Sequence, residues 1–302
     1  MKILVVIVTY NAMQWAEHCF ESLRKSTIVP DVYVVDNGST DGTQAYIQQA
    51  YPEAKFIQSK ENLGFGKANN IGLQYALDND YDYVYLLNQD AWIFEETLSQ
   101  LVNVQKRYPQ YGILSPLQCQ ANVKHVDAHF GRCITNDGKN FEVIDDVFLA
   151  NMEEVYEVPF VMAAHWLISR DCLRATGGFS PTFAHYGEDG NYIQRAIYHG
   201  YKIGYSPKAL AVHDRENRKT ALRKRVRIQK MGYYCIFSNP NHGFLPSLKV
   251  FIRSIASNMV KTPTLLHVNS ICSLICRFGM IRKNRDISIR ETTAFLENRL
   301  HV

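Results

Sequence analysis

Three short polar segments stand directly behind apolar runs, and their residue types suit ligand chemistry. Thr9-Tyr10-Asn11 follows Ile3–Val8, Asp36-Asn37-Gly38-Ser39-Thr40-Asp41-Gly42 follows Val32–Val35, and Asn88-Gln89-Asp90 follows Tyr83–Leu87. Asp36 at a strand end can accept hydrogen bonds from a base or a ribose, with the N–H groups of the next helix behind it for an anion. The same segment also reads as a plain turn, because Asn-Gly and Asp-Gly favour turns and Thr40 or Asp41 can cap the following helix. Asp90 can hold Mg²⁺ or Mn²⁺, hard ions that prefer oxygen and usually bridge to substrate phosphates. It can equally cap the helix that begins near Glu95.

Further along, Glu188-Asp189 opens a helix. Adjacent carboxylates there can simply complement the helix dipole, or one can act as a general base if it sits within about 3 Å of a hydroxyl. His213 could be a metal ligand, although most single histidines are not. His125 and His129 are spaced i, i+4 around Asp127, but without a third ligand nearby they read as surface or structural residues. Glu61–Asn70 holds Gly64 and Gly66, which permit close backbone approach to a ligand. It is neither a P-loop nor a dinucleotide fingerprint, since Asn69 stands where the third glycine is needed.

Such groups need a scaffold. The first 120 residues alternate strand and helix signals: helical spacing at Ala12, Trp15, Ala16, Cys19, Phe20 and Leu23, then helices over 43–50, 68–77 and 95–108, with strands at 3–8, 32–35, 55–58, 83–87 and 112–117. This order predicts an α/β fold with a mainly parallel sheet, whose ligands bind at the carboxyl ends of the strands. Residues 118–157 show no clear period. Phe160–Ser169 is apolar with His165 and Trp166 inside it, 188–198 reads as a helix, and 202–205 as a short strand before Pro207.

Of the 302 residues, 46% are hydrophobic and 21% charged, which excludes disorder, collagen and a simple coiled coil. No run approaches the ~18–20 apolar residues of a membrane span. Seven scattered cysteines without Cys-x-x-Cys argue against a disulfide scaffold or structural zinc. With no signal-peptide pattern at the start, they lead us to expect a cytoplasmic protein. The net charge of +4 is unevenly placed. Residues 215–302 hold 17 Lys/Arg against 4 Asp/Glu, a balance of +13, and residues 1–214 carry −9. A basic tail suggests an anionic partner surface. Leu248, Phe251, Ile252, Ile255 and Met259 form a stripe opposite Lys249, Arg253 and Asn258, so the tail is expected either to meet the inner face of a membrane or to pack on protein, including a second subunit.

In order and spacing, Val8-Thr9-Tyr10-Asn11, the segment 34–43, Asn62-Leu63-Gly64-Phe65, Leu87-Asn88-Gln89-Asp90, Gly177-Gly178-Phe179, Glu188-Asp189 and His213 resemble glycosyltransferase family 2, in particular its rhamnosyltransferase-like branch, over residues 2–215. The resemblance implies a GT-A catalytic domain over 1–214, with a nucleotide-binding half to about 117 and an acceptor half to 214, followed by a basic, mostly helical extension over 215–302. It implies inverting transfer from a nucleotide-diphosphate sugar to a carbohydrate or lipid-linked carbohydrate acceptor, with Mg²⁺ or Mn²⁺, in cell-surface polysaccharide or lipopolysaccharide synthesis. Thr9, Tyr10 and Asp36 match the residues that hold the nucleotide, with Asp41 and Asn62 in the same pocket and Gly64 beside them. Asn88 and Asp90 match the metal-binding Asp-x-Asp, Asp189 the base, Glu188 its acceptor-side neighbour, and His213 a pyrophosphate or metal ligand. The chain departs from the pattern at Asn88, at Gln89 where the branch often has Pro, and at Asn191 in place of a second helical Asp; this weakens the expected metal site and leaves the base in place.

Two other classes are weighed. A sugar-phosphate nucleotidyltransferase needs a Gly-rich, Arg-containing loop after the first strand, where this chain has Thr9-Tyr10-Asn11-Ala12. A nucleic-acid-binding protein would use the eight basic residues between Arg215 and Lys230, but only Tyr233 and Tyr234 adjoin them for stacking, so no nucleic-acid partner is expected.

Overall fold

Ile3–Thr9 (β1) is buried on both faces: Leu4 and Val6 enter one core, and Ile3, Val5 and Ile7 the other. That two-sided burial is why the run carries no polar alternation. A computed structural model describes residues 1–135, 142–214, 221–261 and 264–296. On one side of the sheet lie α1 (Met13–Arg24) and, after β2 (Asp31–Asp36), α2 (Thr43–Ala50). Beyond β3 (Lys55–Gln58), α3 (Phe65–Asp78) covers the opposite side with Ala68, Leu73 and Ala76. Next come β4 (Tyr83–Asn88), β5 (Ala91–Ile93), α4 (Thr97–Arg107) and β6 (Tyr111–Cys119). Two short helices, α5 (Ala128–Ile134) and α6 (Glu142–Phe148), precede β7 (Tyr156–Glu157) and β8 (His165–Ser169). The body ends with α7 (Arg170–Thr176), α8 (Glu188–Tyr198) and β9 (Lys202–His213).

The nine-stranded sheet has the order β3-β2-β1-β4-β8-β6-β9-β5, with β7 paired to β9. The pairs β1–β2, β2–β3, β1–β4 and β6–β9 are parallel. Around β8 and at the β5 and β7 edges the pairing is antiparallel. The mainly parallel α/β sheet expected from the sequence is therefore present, with two differences. Strand β5 is three residues long, too short for a period to show, and exists through its pairing with β9. Strand β9 does not stop at Tyr205. It bulges after Ser206, resuming its register at Leu210, and Pro207 falls inside that bulge, where no ladder donor is required.

The tail adds α9 (Leu222–Ser238), α10 (Phe244–Lys261) and α11 (Leu266–Arg290). They share a small core in which Met231, Tyr234, Phe237, Leu274 and Ile281 surround Phe183 of the body. Leu248, Phe251 and Ile255 of the expected stripe pack into this core, while Ile252 and Met259 stay exposed. Asn258, read from the sequence as solvent-facing, turns inward and bonds Gln229 and the Tyr233 hydroxyl. Residues 293–296 return to the body: the Ala294 carbonyl accepts from the Gly178 N–H, and the Thr293 N–H donates to the Arg174 carbonyl. Among the described residues no helix is long and apolar enough to cross a membrane.

Candidate active site

The antiparallel pairing of β5 with β9 sets Ala91 opposite His213. The Asp214 N–H donates to the Asp90 carbonyl at 2.8 Å. These backbone links bring His213 Nε2 to 3.5 Å from Asp90 Oδ1. His213 is buried, and its Nδ1 has no hydrogen-bond partner among the described residues. Behind it lies His165 of β8. The Val212 carbonyl can only accept, so His165 Nε2 donates to it at 3.0 Å and Nδ1 accepts from the Tyr85 hydroxyl at 2.8 Å. Burial, and then the neighbouring His213, push His165 down to about 3, which keeps it neutral. His165 thereby fixes the backbone immediately before His213. Trp15 Nε1 donates to Asp214 Oδ2 at 3.0 Å and ties α1 to the same strand end.

Two ligands bound to one small cation at about 2.1 Å lie roughly 3 Å or slightly more apart. Asp90 and His213 meet that requirement for two adjacent positions. Among the described residues no group of three or more His, Cys, Asp or Glu is arranged to hold a metal. The pair therefore suits an ion whose remaining positions are filled by water and by substrate phosphate.

The N-cap of helix α8 is Gly187, whose φ of 87° follows Tyr186 at 71°. A non-glycine residue held in the left-handed region is a feature of sites that need a fixed backbone. Asp189 faces the cavity, whereas Glu188 turns inward and is 7% exposed. Glu188 Oε2 has no partner among the described residues, and burial followed by the Asp189 charge pushes this carboxyl up to about 7. The Gly177-Gly178-Phe179 segment that leads to α8 is organised by buried Arg195, which donates to the Thr176 and Gly178 carbonyls, and by Asn70 Oδ1, which accepts from the Phe179 N–H.

A cavity of about 1520 Å³ collects Asn88, Asp90, Asp189 and His213 together with Asp214. Its other walls come from the segment around α5, including His129 and Arg132, from Phe160 and Met162, from His185 and Tyr186, and from Lys224 and Ile228 of α9. The residues matched to the nucleotide pocket lie outside this lining. Asp36 is fully buried and accepts from Thr9 Oγ1, the Gly38 and Ser39 N–H groups, Ser39 Oγ and Gln44 Nε2. It closes its own loop. Asp41 accepts from the Thr43 and Met13 N–H groups, the first of α2 and of α1, although the cap positions themselves are Gly42 and Ala12. Asn62 Oδ1 accepts from the Gly64 N–H. Tyr10 is exposed, and its backbone is clamped by Gln89, which accepts from the Tyr10 N–H at 2.7 Å and donates to its carbonyl at 3.1 Å. Gly64, at φ 77°, abuts the body near α8: a Cβ there would stand 2.6 Å from the Ala184 carbonyl oxygen.

Several contributors were not read from the sequence. Gln89, a departure from the family pattern, joins two strand-end loops through its side chain. His165 is a histidine inside an apolar run, which is itself the signal of a buried, satisfied imidazole. Asp214 and Trp15 meet across 199 positions of sequence, which no local pattern reveals. His125 and His129 do not share a helix face, because Asp127 caps α5 by accepting from the Phe130 N–H and leaves His125 before the helix. His129, read as surface or structural, lines the cavity. All seven cysteines are free thiols.

The sequence profile described as Glycosyl transferase family 2 matches residues 4–177. Over 122 residues the chain is 34% identical to the N-acetylglucosaminyl-diphospho-decaprenol L-rhamnosyltransferase of Mycobacterium tuberculosis (strain CDC 1551 / Oshkosh), covering 37% of this chain and 40% of that protein. It thus spans less than half the length of that relative. It is 24% identical over 255 residues to the low-salt glycan biosynthesis hexosyltransferase Agl10 of Haloferax volcanii, covering 83% of this chain and 77% of that one. The crystal structure of S. aureus TarS 1–349 in complex with UDP superposes with a TM-score of 0.62 at 16% identity, over 96% of this chain and 83% of the other. The profile match covers more than half of the sequence and the whole sheet shares its architecture with these solved structures, so the chain belongs to glycosyltransferase family 2 and has the GT-A fold.

Proposed function

We propose that the protein is an inverting, metal-dependent glycosyltransferase that moves a sugar from a nucleotide-diphosphate donor to a hydroxyl of a carbohydrate or lipid-linked carbohydrate acceptor, in the synthesis of a cell-surface polysaccharide or lipopolysaccharide. One observation carries this reading: a single cavity at the strand ends gathers the Asp90–His213 pair and the Asp189 carboxylate. The printed name of the mycobacterial relative, with its diphospho-decaprenol acceptor, supports a lipid-linked acceptor. A mannosyltransferase of the same fold, solved with GDP-Man and Mn²⁺, supports a divalent cation.

In this reading Asp90 and His213 hold Mg²⁺ or Mn²⁺, with Asn88 a neutral neighbour. When bound, the cation offsets the charge that develops on the leaving diphosphate. Asp189 accepts the proton of the acceptor hydroxyl as its oxygen attacks the anomeric carbon from the face opposite the leaving group. A single displacement inverts that carbon. Thr9, Tyr10, Asp36, Asp41, Asn62 and Gly64 serve the nucleotide by shaping the strand-end loops: Asp36 and Asp41 spend their carboxylates on loop closure, which leaves backbone groups and the exposed Tyr10 ring for contact. Residues 1–214 form the catalytic unit, with 215–302 as its extension.

We further infer that this extension rests on an anionic membrane. Leu245, Ile252, Met259 and Val260 of α10, with Leu265 and Val268 at the start of α11, are exposed, and Lys249, Arg253 and Lys261 stand among them. Apolar side chains beside basic ones fit a headgroup boundary.

The test is a thermal-shift screen of nucleotide-sugars with and without Mn²⁺, followed by assay of Asp189→Asn. A ligand at 100 times its Kd should add about 2.7 kcal/mol to stability. The variant should keep donor binding and lose ~10²–10⁴-fold in transfer. Near-wild-type turnover in the variant would remove Asp189 as the base.

A further inference from the structure

Two kinds of charge line the candidate site. The strand ends and α8 supply Asp90, Asp214 and Asp189, while α5 and α9 supply Arg132, His129 and Lys224. Helix α9 reaches the cavity along one face. Val226 is buried, whereas Lys224, Arg227 and Ile228 are exposed. The Lys224 ammonium lies 5.6 Å from the centroid of the Tyr186 ring, three residues before Asp189. Arg227 acts on the same place: its charge favours ionised Glu188, and with Lys224 it disfavours protonated His185, which burial already holds below its ordinary value. Among the described residues, the ion pairs involve other groups than Lys224, Arg227 and Arg132. Lys224 and Arg132 line the cavity, and Arg227, next to the lining residue Ile228, adds its charge there, so cations without carboxylate partners among the described residues keep their capacity for an anionic ligand.

The donor diphosphate does not use these cations in the reading above, because it belongs with the cation at Asp90 and His213. A second anion in the same cavity, close to the proposed base, belongs to the acceptor. We propose that Lys224 and Arg227 of α9, together with Arg132 of α5, bind a phosphate or diphosphate ester carried by the acceptor, and so present its hydroxyl to Asp189. Arginine suits the paired oxygens of such a group and lysine supplies a point charge, while Phe160, Met162 and Ile228 provide apolar surface for the rest of the acceptor. The basic segment of the sequence is thereby given a ligand where Lys224 lines the cavity. The inference rests on the glycosyltransferase reading and narrows it to phosphate-bearing acceptors. Two sources share this chemistry: a prenyl diphosphate and a phosphorylated soluble glycan.

The experiment uses the full chain with saturating nucleoside diphosphate and Mn²⁺, so that the donor end is filled. Farnesyl diphosphate, farnesol and inorganic pyrophosphate are the probes, and binding is followed by intrinsic tryptophan fluorescence at two salt concentrations. Farnesyl diphosphate should bind, farnesol should not, and the affinity should fall as salt rises. Lys224→Glu and Arg227→Glu should each weaken binding roughly tenfold or more. Arg282→Glu on the far part of α11 should leave it unchanged. Farnesyl diphosphate well above pyrophosphate assigns the prenyl source, and equal, variant-sensitive binding of the two assigns a soluble phosphate ester. Binding of farnesyl diphosphate no tighter than farnesol, or unchanged in both charge-reversal variants, overturns the proposal. Nucleotide-sugar binding is measured on the same samples: its absence from the wild type would fail the glycosyltransferase reading itself, whereas donor binding with no anion binding fails this inference alone.

Discussion

Glu188→Gln should make the protein more stable at neutral and alkaline pH, by an amount set to order of magnitude by the upward shift of its carboxyl. Glu188 is 7% exposed, and its carboxyl is pushed from 4.5 up to about 7, first by burial and then by Asp189. A carboxyl raised on folding favours the folded state while it stays protonated. That contribution is complete below the unfolded value of 4.5 and is lost as pH rises to about 7. At about 1.36 kcal/mol per pH unit, the interval corresponds to roughly 3 kcal/mol. Glutamine keeps the shape and cannot ionise. The stability difference between variant and wild type should therefore be small and flat below pH 4.5, grow through pH 5–7, and level off near 3 kcal/mol above pH 7.5. At about 2 °C per kcal/mol for a chain of this size, the melting temperature of the variant should exceed wild type by roughly 6 °C at pH 8. Scanning calorimetry across pH 4.5–8 measures it, and the difference between the two proteins cancels every other titrating group. A difference that stays constant over this range would show that Glu188 ionises as an ordinary surface carboxylate, and the account of its burial would be wrong.

Gly64→Ala should destabilise the protein by more than about 2 kcal/mol and slow transfer, because its φ of 77° disfavours a side chain and the new Cβ would stand 2.6 Å from the Ala184 carbonyl oxygen. Gly42→Ala, at φ 92° with nothing within 4 Å, should cost only the backbone term of about 1–2 kcal/mol; equal melting temperatures for the two variants would contradict the contact argument. Transfer should require a divalent cation, and Asn88→Asp should lower the Mn²⁺ concentration for half-maximal activity by adding a carboxylate beside Asp90; full activity in excess EDTA would end the metal assignment. The wild type should co-sediment with anionic vesicles at low salt, and Val260→Asp/Leu265→Asp should not; a wild type that stays in the supernatant would make the exposed apolar face a packing surface.

How far the sequence reached depends on the range of the interaction. The β1 run, the α1 stripe and the alternation through residue 117 are local patterns, and burial on both faces of β1 reproduces them side by side. Asp90 and Asp189, which both line the cavity, stand out in the sequence because each lies at the end or start of an element whose signal is strong. The approach of His213 to Asp90 has no local signal, because it needs β9 to extend past Pro207 and pair with a three-residue strand. The same distance rule explains Asp36. Its place at the end of β2 suggests a ligand contact, but its five donors include Thr9 from another strand and Gln44 from the next helix, and only the assembled loop shows that the carboxylate is already engaged.

The tail illustrates a different loss. A helical period tells which residues share a face of α10, and Leu248, Phe251 and Ile255 were correctly grouped. It cannot tell which face meets protein. Here the grouped residues join the α9–α11 core, and a second apolar face, turned about a quarter to a third of the way round the helix, carries Leu245, Ile252, Met259 and Val260 into solvent beside Lys249 and Arg253. An 18-residue helix that is apolar on two faces needs two partners. The folded chain supplies one of them, and in the membrane reading proposed above the basic residues on the other face make an anionic surface the second.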